Sequence, residues 1–177
     1  MRSVETRTGF AWRSPFVVAC AVLLLLVVSC GDDDEDGAGG EVLRPAQGVD
    51  EITRQVIKEG EPESAPGELL ELTRVIIPAG MEIAPHTHPG MQQAVIAEGT
   101  LTYTVIDGEV VVTHDSGTDG ATTETITSGG TVELRPGSAV LEMPGMVHSA
   151  RNDGDVAVVV YLASLFPVGA PASSPAE

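Results

Sequence analysis

Three histidines in this chain have the residue type and the spacing to hold one metal ion. Imidazole is the commonest protein ligand for borderline transition metals. His86 and His88 are separated by one residue, so on a strand both project from the same face. His148 lies sixty positions further on and can join them only if a sheet folds back on itself. Gln92 shares the parity of His86 and His88, which directs all three side chains to one side of an extended chain. Gln93 has the opposite parity and is expected to face outward. The fourth histidine, His114, opens a polar, glycine-rich stretch and is expected to be a solvent-exposed residue rather than a ligand.

Strand signals dominate the region that must position these residues. Glu68 to Ile77 is rich in leucine and β-branched residues and stops at Pro78-Ala79-Gly80. Leu101, Tyr103 and Val105 alternate with Thr100, Thr102 and Thr104, the period of a half-buried strand. Asp107-Gly108, between Tyr103–Ile106 and Glu109–Thr113, reads as a hairpin turn because both residues tolerate positive φ. Further short strands are expected at Thr122–Thr127, Thr131–Leu134, Ala139–Met143 and Val156–Leu162. Arg135-Pro136-Gly137 and Asn152-Asp153-Gly154 supply turns. No segment of this region sustains a helical period, so an all-β sandwich or barrel is predicted. Tyr103, Tyr161 and Phe166 are its only aromatics, and its core must therefore rest on Val, Ile, Leu and Ala. Before Gly67 the pattern is weak. Val49, Ile52, Val56 and Ile57 fit either a helical face or a first strand, and the strand is the preferred reading.

The N-terminus reads as an export signal. Arg2, Arg7 and Arg13 precede an apolar run from Phe16 to Val28, too short for a stable membrane span but suited to the core of a signal peptide. Val27-Val28-Ser29-Cys30 resembles the bacterial lipoprotein box, which implies lipidation of Cys30 and an extracytoplasmic, membrane-anchored product at the cell surface or in a periplasm. Cys20 would leave with residues 1–29, so no intramolecular disulfide is possible afterwards. Gly31 to Gly40 carries five consecutive acids between glycines and is expected to be an extended, solvated tether. The chain thus divides into a signal peptide over 1–29, lipidated Cys30 with a flexible acidic linker and N-terminal arm over 30–66, a barrel domain over 67–166 and a disordered tail over 167–177. Nine basic and 26 acidic residues give a net charge of −17. Such a surface repels nucleic acid and anionic headgroups, so the lipid anchor is the only membrane partner expected.

The residues around the histidines also resemble the paired motifs of the cupin superfamily. Gly80, His86, His88, Gln92 and Gly99 fall on the first motif, and Gly137, Gly145, His148 and Asn152 fall on the second. Met143 stands where the second motif has proline, with Pro144 next to it. The resemblance spans about Leu69 to Leu165 and implies a double-stranded β-helix, a jelly-roll barrel with a divalent metal at one end. It also implies His86, His88 and His148 as ligands, with Gln92 as a fourth or near ligand and Asn152 ordering the turn after the second motif. The family's usual carboxylate is replaced by Gln92, which can coordinate through its amide oxygen but adds no negative charge and cannot serve as a base. The resemblance therefore implies a more Lewis-acidic, less tightly held ion, and it disfavours family chemistries that need that glutamate, such as flavonol cleavage and oxalate degradation. Three-histidine iron centres occur among cupin-like dioxygenases, so oxygen chemistry stays open. Pairing into a homodimer through sheet edges is common among cupins.

Three function classes fit these residues. One is a metal-dependent enzyme, a dioxygenase acting on a small organic substrate. Another is a non-catalytic module that binds or senses a small molecule. The third is an envelope copper-handling protein, because Met81, Met91, Met143 and Met146 all lie within the two motifs and thioethers favour copper. The same methionines would equally line an apolar mouth in a protein short of aromatics. Fe, Mn, Cu, Ni and Zn all suit imidazole ligands. Arg151 is expected to pair with a surface acid rather than to meet an anionic ligand at the rim.

Overall fold

The alternation in Leu101–Val105 is realised as written, with Leu101, Tyr103 and Val105 buried and Thr102 and Thr104 half-buried between them. The computed structural model describes residues 50–176, and all regular structure among them is β. The signal peptide, Cys30 and the acidic run lie outside the described residues. The strands are β1 (Thr53–Gly60), β2 (Glu68–Ile77), β3 (Glu82–Thr87), β4 (Met91–Glu98), β5 (Leu101–Asp107) and β6 (Glu109–His114), followed by β7 (Thr122–Thr127), β8 (Thr131–Leu134), β9 (Ala139–Glu142), β10 (Val147–Arg151), β11 (Val158–Pro167) and β12 (Ser174–Pro175).

They form a seven-stranded sheet, β1-β2-β11-β4-β9-β6-β7, and a five-stranded sheet, β12-β3-β10-β5-β8. Every pairing is antiparallel. The chain passes repeatedly from one sheet to the other, which is the double-stranded β-helix that the motifs imply. Ile77, Val105, Val110, Val112, Leu134 and Val158 are fully enclosed within it. Burying each such side chain contributes roughly 1.5–3 kcal/mol, so aliphatic residues carry the core as the composition requires.

Asp107-Gly108 does not close a hairpin. It is a corner at which the chain leaves one sheet and enters the other: β5 is paired with β10 and β8, whereas β6 is paired with β7 and β9. Gly108 takes φ 93°, and the Ser128 hydroxyl both accepts from its N–H and donates to its carbonyl. The dipeptide specifies the bend. Which partners the flanking strands take is decided elsewhere.

The described chain also departs from the expected boundaries at both ends. Residues 53–60, placed in the linker and arm, are an edge strand along β2, with a register shift between Val56 and Lys58. Residues 167–176, expected to be a frayed tail, return to the barrel: Ser174 and Pro175 pair with Thr87 and His86, and the Ala176 N–H donates to the Pro85 carbonyl. Alanine, serine and proline carry little strand signal, but the free edge of β3 offers backbone partners that need no particular side chain.

The motif glycines and Asn152 fix the corners. Gly99 has φ 73°, and a Cβ there would lie 2.8 Å from the Ala157 carbonyl oxygen. Asn152 is fully buried; its amide donates to the Ile77 and Val156 carbonyls and its oxygen accepts from the Gly154 N–H. Its backbone bonds Gly80 and Met81, so one residue ties the end of β10 to the start of β3. These are the strands that carry His148 and His86.

Candidate metal centre

His86 and His148 are register partners on β3 and β10, and His88 follows at the corner leading into β4. One ring nitrogen from each of the three lies within 4.8 Å of the other two. The ring centroids are 4.2–5.2 Å apart. His88 and His148 are 8% and 2% exposed, and His86 is half-buried.

Backbone carbonyls decide which nitrogen faces the centre. His86 Nδ1 lies 2.8 Å from the Ala84 oxygen, and His88 Nδ1 lies 2.7 Å from the Ala172 oxygen. A carbonyl can only accept, so both Nδ1 atoms carry protons, and in the neutral rings both Nε2 atoms keep lone pairs. This is the arrangement by which histidine ligands are oriented for a metal. The second carbonyl comes from the C-terminal segment, 84 residues downstream of the ring that it holds.

A fourth residue stands in the cluster that motif reading misses. Glu142 on β9 is 3% exposed and lies directly opposite Gln92 on β4. Its Oε2 is 3.4 Å from His88 Nε2, and its Oε1 is 3.4 Å from His148 Nε2. Tyr103, reaching across from the other sheet, donates its hydroxyl to Oε1 at 2.9 Å. Gln92 Nε2 donates to Oε2 at 2.7 Å. The centre therefore has a carboxylate after all, and an ion there would not sit among neutral groups alone.

Gln92 has a different task from the one expected. It does face inward, 5% exposed, while Gln93 is exposed. However, its amide oxygen accepts from Ser164 Oγ at 2.8 Å, and its amide nitrogen points at Glu142 and, at 3.1 Å, at His88 Nε2. The reverse orientation would set the amide oxygen against a carboxylate oxygen at 2.7 Å. In this arrangement Gln92 clamps Glu142 through its amide nitrogen.

Of the remaining candidates, His114 is partly buried and bonded to Glu124. Arg151 pairs with Asp153 at 2.7 Å. Met91 and Met143 are exposed, Met146 is in the core, and no methionine lines the cavity described next.

The cluster forms the polar end of a cavity of about 280 Å³. Its other walls are aliphatic and include Ile52, Val75, Ile77, Leu101, Leu134 and Val160. Arg54 also lines it but is paired with Glu71, which accepts from Thr73 as well. Ala172 and Ser173 of the C-terminal segment lie on the same lining.

Burial lowers the pKa of His148 to about 4, against the opposing pull of Glu142. Burial likewise lowers that of His86, partly offset by its bond to Ala84. The Tyr103 hydroxyl is pushed well above its usual range by burial and by Glu142, and it stays a donor at any physiological pH. The metal-free protein should consequently be acid-sensitive. An unfolded His148 takes its proton near pH 6.5 and the folded one near pH 4, so the unfolded state binds more protons in between. Stability falls as pH drops through that window, by roughly 3 kcal/mol in total, and this contribution levels off below it. Urea titrations of chelator-treated protein between pH 7 and 4, compared with His148→Gln, isolate the effect; equal slopes for both proteins would refute it.

No family model matches the chain, and no curated protein matches it. Among solved structures, it is similar to a cupin superfamily protein from Desulfitobacterium hafniense, at 8% identity over 66% of this chain and 79% of that one, with a TM-score of 0.45. A cupin 2 domain-containing protein from Halorhodospira halophila has 14% identity over 72% and 71%, with a TM-score of 0.47. A double-stranded β-helix protein from Klebsiella pneumoniae has 26% identity over 76% and 90%, with a TM-score of 0.33. The likeness concerns architecture alone.

Proposed function

We propose that this chain is an exported, lipid-anchored metal protein whose ion meets a small, mainly aliphatic molecule in the barrel, and that it is a dioxygenase. The observation that supports this reading is the convergence of three imidazoles, two of them oriented by backbone carbonyls, on a mainly aliphatic cavity. His86, His88 and His148 would hold a divalent transition ion, which when bound supplies the redox chemistry that dioxygen needs to react with an organic molecule.

The polar groups around the cavity favour oxygen chemistry over hydrolysis. Tyr103, Gln92, Ser164 and Glu142 are bonded to one another, and Arg54 is paired with Glu71. None of these groups stands free as a general base. The aliphatic walls accept an apolar body. With Arg54 engaged, they offer no cation to a second anionic group, so phosphates and dicarboxylates are poor candidates for the ligand. Copper handling through thioethers loses its main support, because no methionine faces the cavity.

Cys30 is the lipidated residue in this reading, and the acidic run from Gly31 to Gly40 is its tether. Protein purified from its own envelope should carry close to one transition-metal ion per chain by elemental analysis. Dioxygen consumption with short aliphatic candidates should then depend on that ion. A metal-free native protein sinks the proposal. Ligand-dependent stabilisation without oxygen uptake would instead assign the barrel to binding or sensing, the reading favoured by a fully engaged polar shell.

A further inference from the structure

Building on that metal centre, we propose that Glu142 is its anionic ligand, so that the carboxylate has moved from the β4 position held by Gln92 to the facing position on β9. The two residues are direct cross-strand partners, and their side chains touch at 2.7 Å. Either position can therefore deliver a carboxylate to the same point in space, and the chain uses the second.

Three observations converge on this assignment. The first is distance. Each Glu142 oxygen is 3.4 Å from a different histidine Nε2, and neither contact is a hydrogen bond. Two donor atoms each about 2.1 Å from a shared tetrahedral ion lie about 3.4 Å apart, so the spacing is that of two ligands of one ion. The second is the donor inventory. His88 presents a lone pair at Nε2 because its Nδ1 proton is committed to Ala172. A carboxylate also has only lone pairs to offer; the Gln92 amide, 2.7 Å from Glu142 Oε2 and 3.1 Å from His88 Nε2, bridges the pair, and with a neutral His88 a cation between the two would supply the stronger attraction.

The third is the support around Glu142. A carboxylate at 3% exposure needs partners. Tyr103 and Gln92 give it one donor on each oxygen, and Ser164 anchors Gln92 in turn. Ser164, Gln92 and Glu142 occupy facing positions on β11, β4 and β9, so the support is one row across the sheet. Carboxylate ligands are typically held by hydrogen bonds of this kind. Gln92 is accordingly a positioning residue, and Tyr103 another.

Reconstitution of the full chain with Co²⁺ tests the assignment, because affinity and the visible absorption spectrum report ligation without any need for turnover. Glu142→Gln should weaken Co²⁺ binding on the order of 10²-fold or more and alter the spectrum. The reciprocal exchange, Gln92→Glu with Glu142→Gln, returns a carboxylate and an amide to the same pair and should recover affinity to within about tenfold of the native chain. Should Glu142→Gln alone fold poorly, the exchange variant still decides the matter against Gln92→Leu with Glu142→Gln, which keeps neither carboxylate. Native affinity and an unchanged spectrum in Glu142→Gln would overturn the assignment while leaving the histidine centre standing. A native chain that takes up no Co²⁺ would overturn the centre itself, and this assignment with it.

Discussion

Replacing His148 by leucine should abolish metal uptake and at the same time stabilise the metal-free barrel. Both halves follow from the same burial. His148 is 2% exposed, and its Nδ1 has only the Met146 backbone near it, outside good hydrogen-bond geometry. Its ring is packed 4.2 Å from that of His86 and stacked 5.1 Å from that of Tyr103. A buried polar atom without a partner costs about 1–3 kcal/mol. Leucine fills a similar volume without that atom. Glu142 keeps its donors from Tyr103 and Gln92, so the substitution strands no charge.

The expected result is a gain of about 1–2 kcal/mol in urea denaturation at pH 7, together with a loss of Co²⁺ affinity beyond the 10²-fold typical of supporting residues. The gain should grow as the pH falls toward 5, because the acid-sensitive ring is gone. A group that weakens the fold it sits in is retained for what it binds. If His148→Leu binds Co²⁺ as the native chain does, His148 is not a ligand; if it unfolds the barrel, the ring has a packing role instead.

The sequence displays the histidine face for a simple reason. His86, His88 and Gln92 share parity, and the inward direction survives the Pro89-Gly90 step into β4. Strand bounds such as Glu68–Ile77, Thr122–Thr127 and Thr131–Leu134 are marked on both sides by Pro, Gly or Ser and coincide with β2, β7 and β8. Glu142 was equally within reach of parity. It is two residues after Val140 on a strand whose inward side Val140 occupies, and both are buried. An acid in such a position attracts notice only when strand period is applied to polar residues as strictly as to apolar ones.

Other features depend on partners that local sequence does not encode. The bend at Asp107-Gly108 is legible, but the separation of β5 and β6 into different sheets follows from competition with β10, β8, β7 and β9. The final strand has no hydrophobic signature, since its pairing with β3 is made by backbone groups. Ala172 contributes a carbonyl that any residue would have. A ligand-orienting contact of that type leaves no compositional trace.

Asn152→Ala should be among the most destabilising single changes in the barrel. The substitution leaves the Ile77 carbonyl without its side-chain partner in a buried position, and the Val156 carbonyl and the Gly154 N–H without theirs in part-buried ones. At about 1–3 kcal/mol for the buried carbonyl, and less for the two groups that can turn to water, a total of about 2–4 kcal/mol is expected. Asn152→Asp separates the donors from the acceptor. Aspartate can still accept from Gly154, but at pH 7 it would aim a buried charge at two carbonyl oxygens. It should therefore be no better than alanine. The effect reaches the metal centre because Asn152 also bonds Gly80 and Met81 through its backbone, fastening the end of β10 to the start of β3. Saturating Co²⁺, at about a hundred times its dissociation constant, should restore on the order of 2.7 kcal/mol to either variant, since the ion binds only the folded barrel. Urea midpoints with and without Co²⁺ measure both effects. An Asn152→Asp protein as stable as the native one would mean that the two donated hydrogen bonds contribute little. A Co²⁺ affinity unchanged from that of the native chain in Asn152→Ala would uncouple this corner from the histidines.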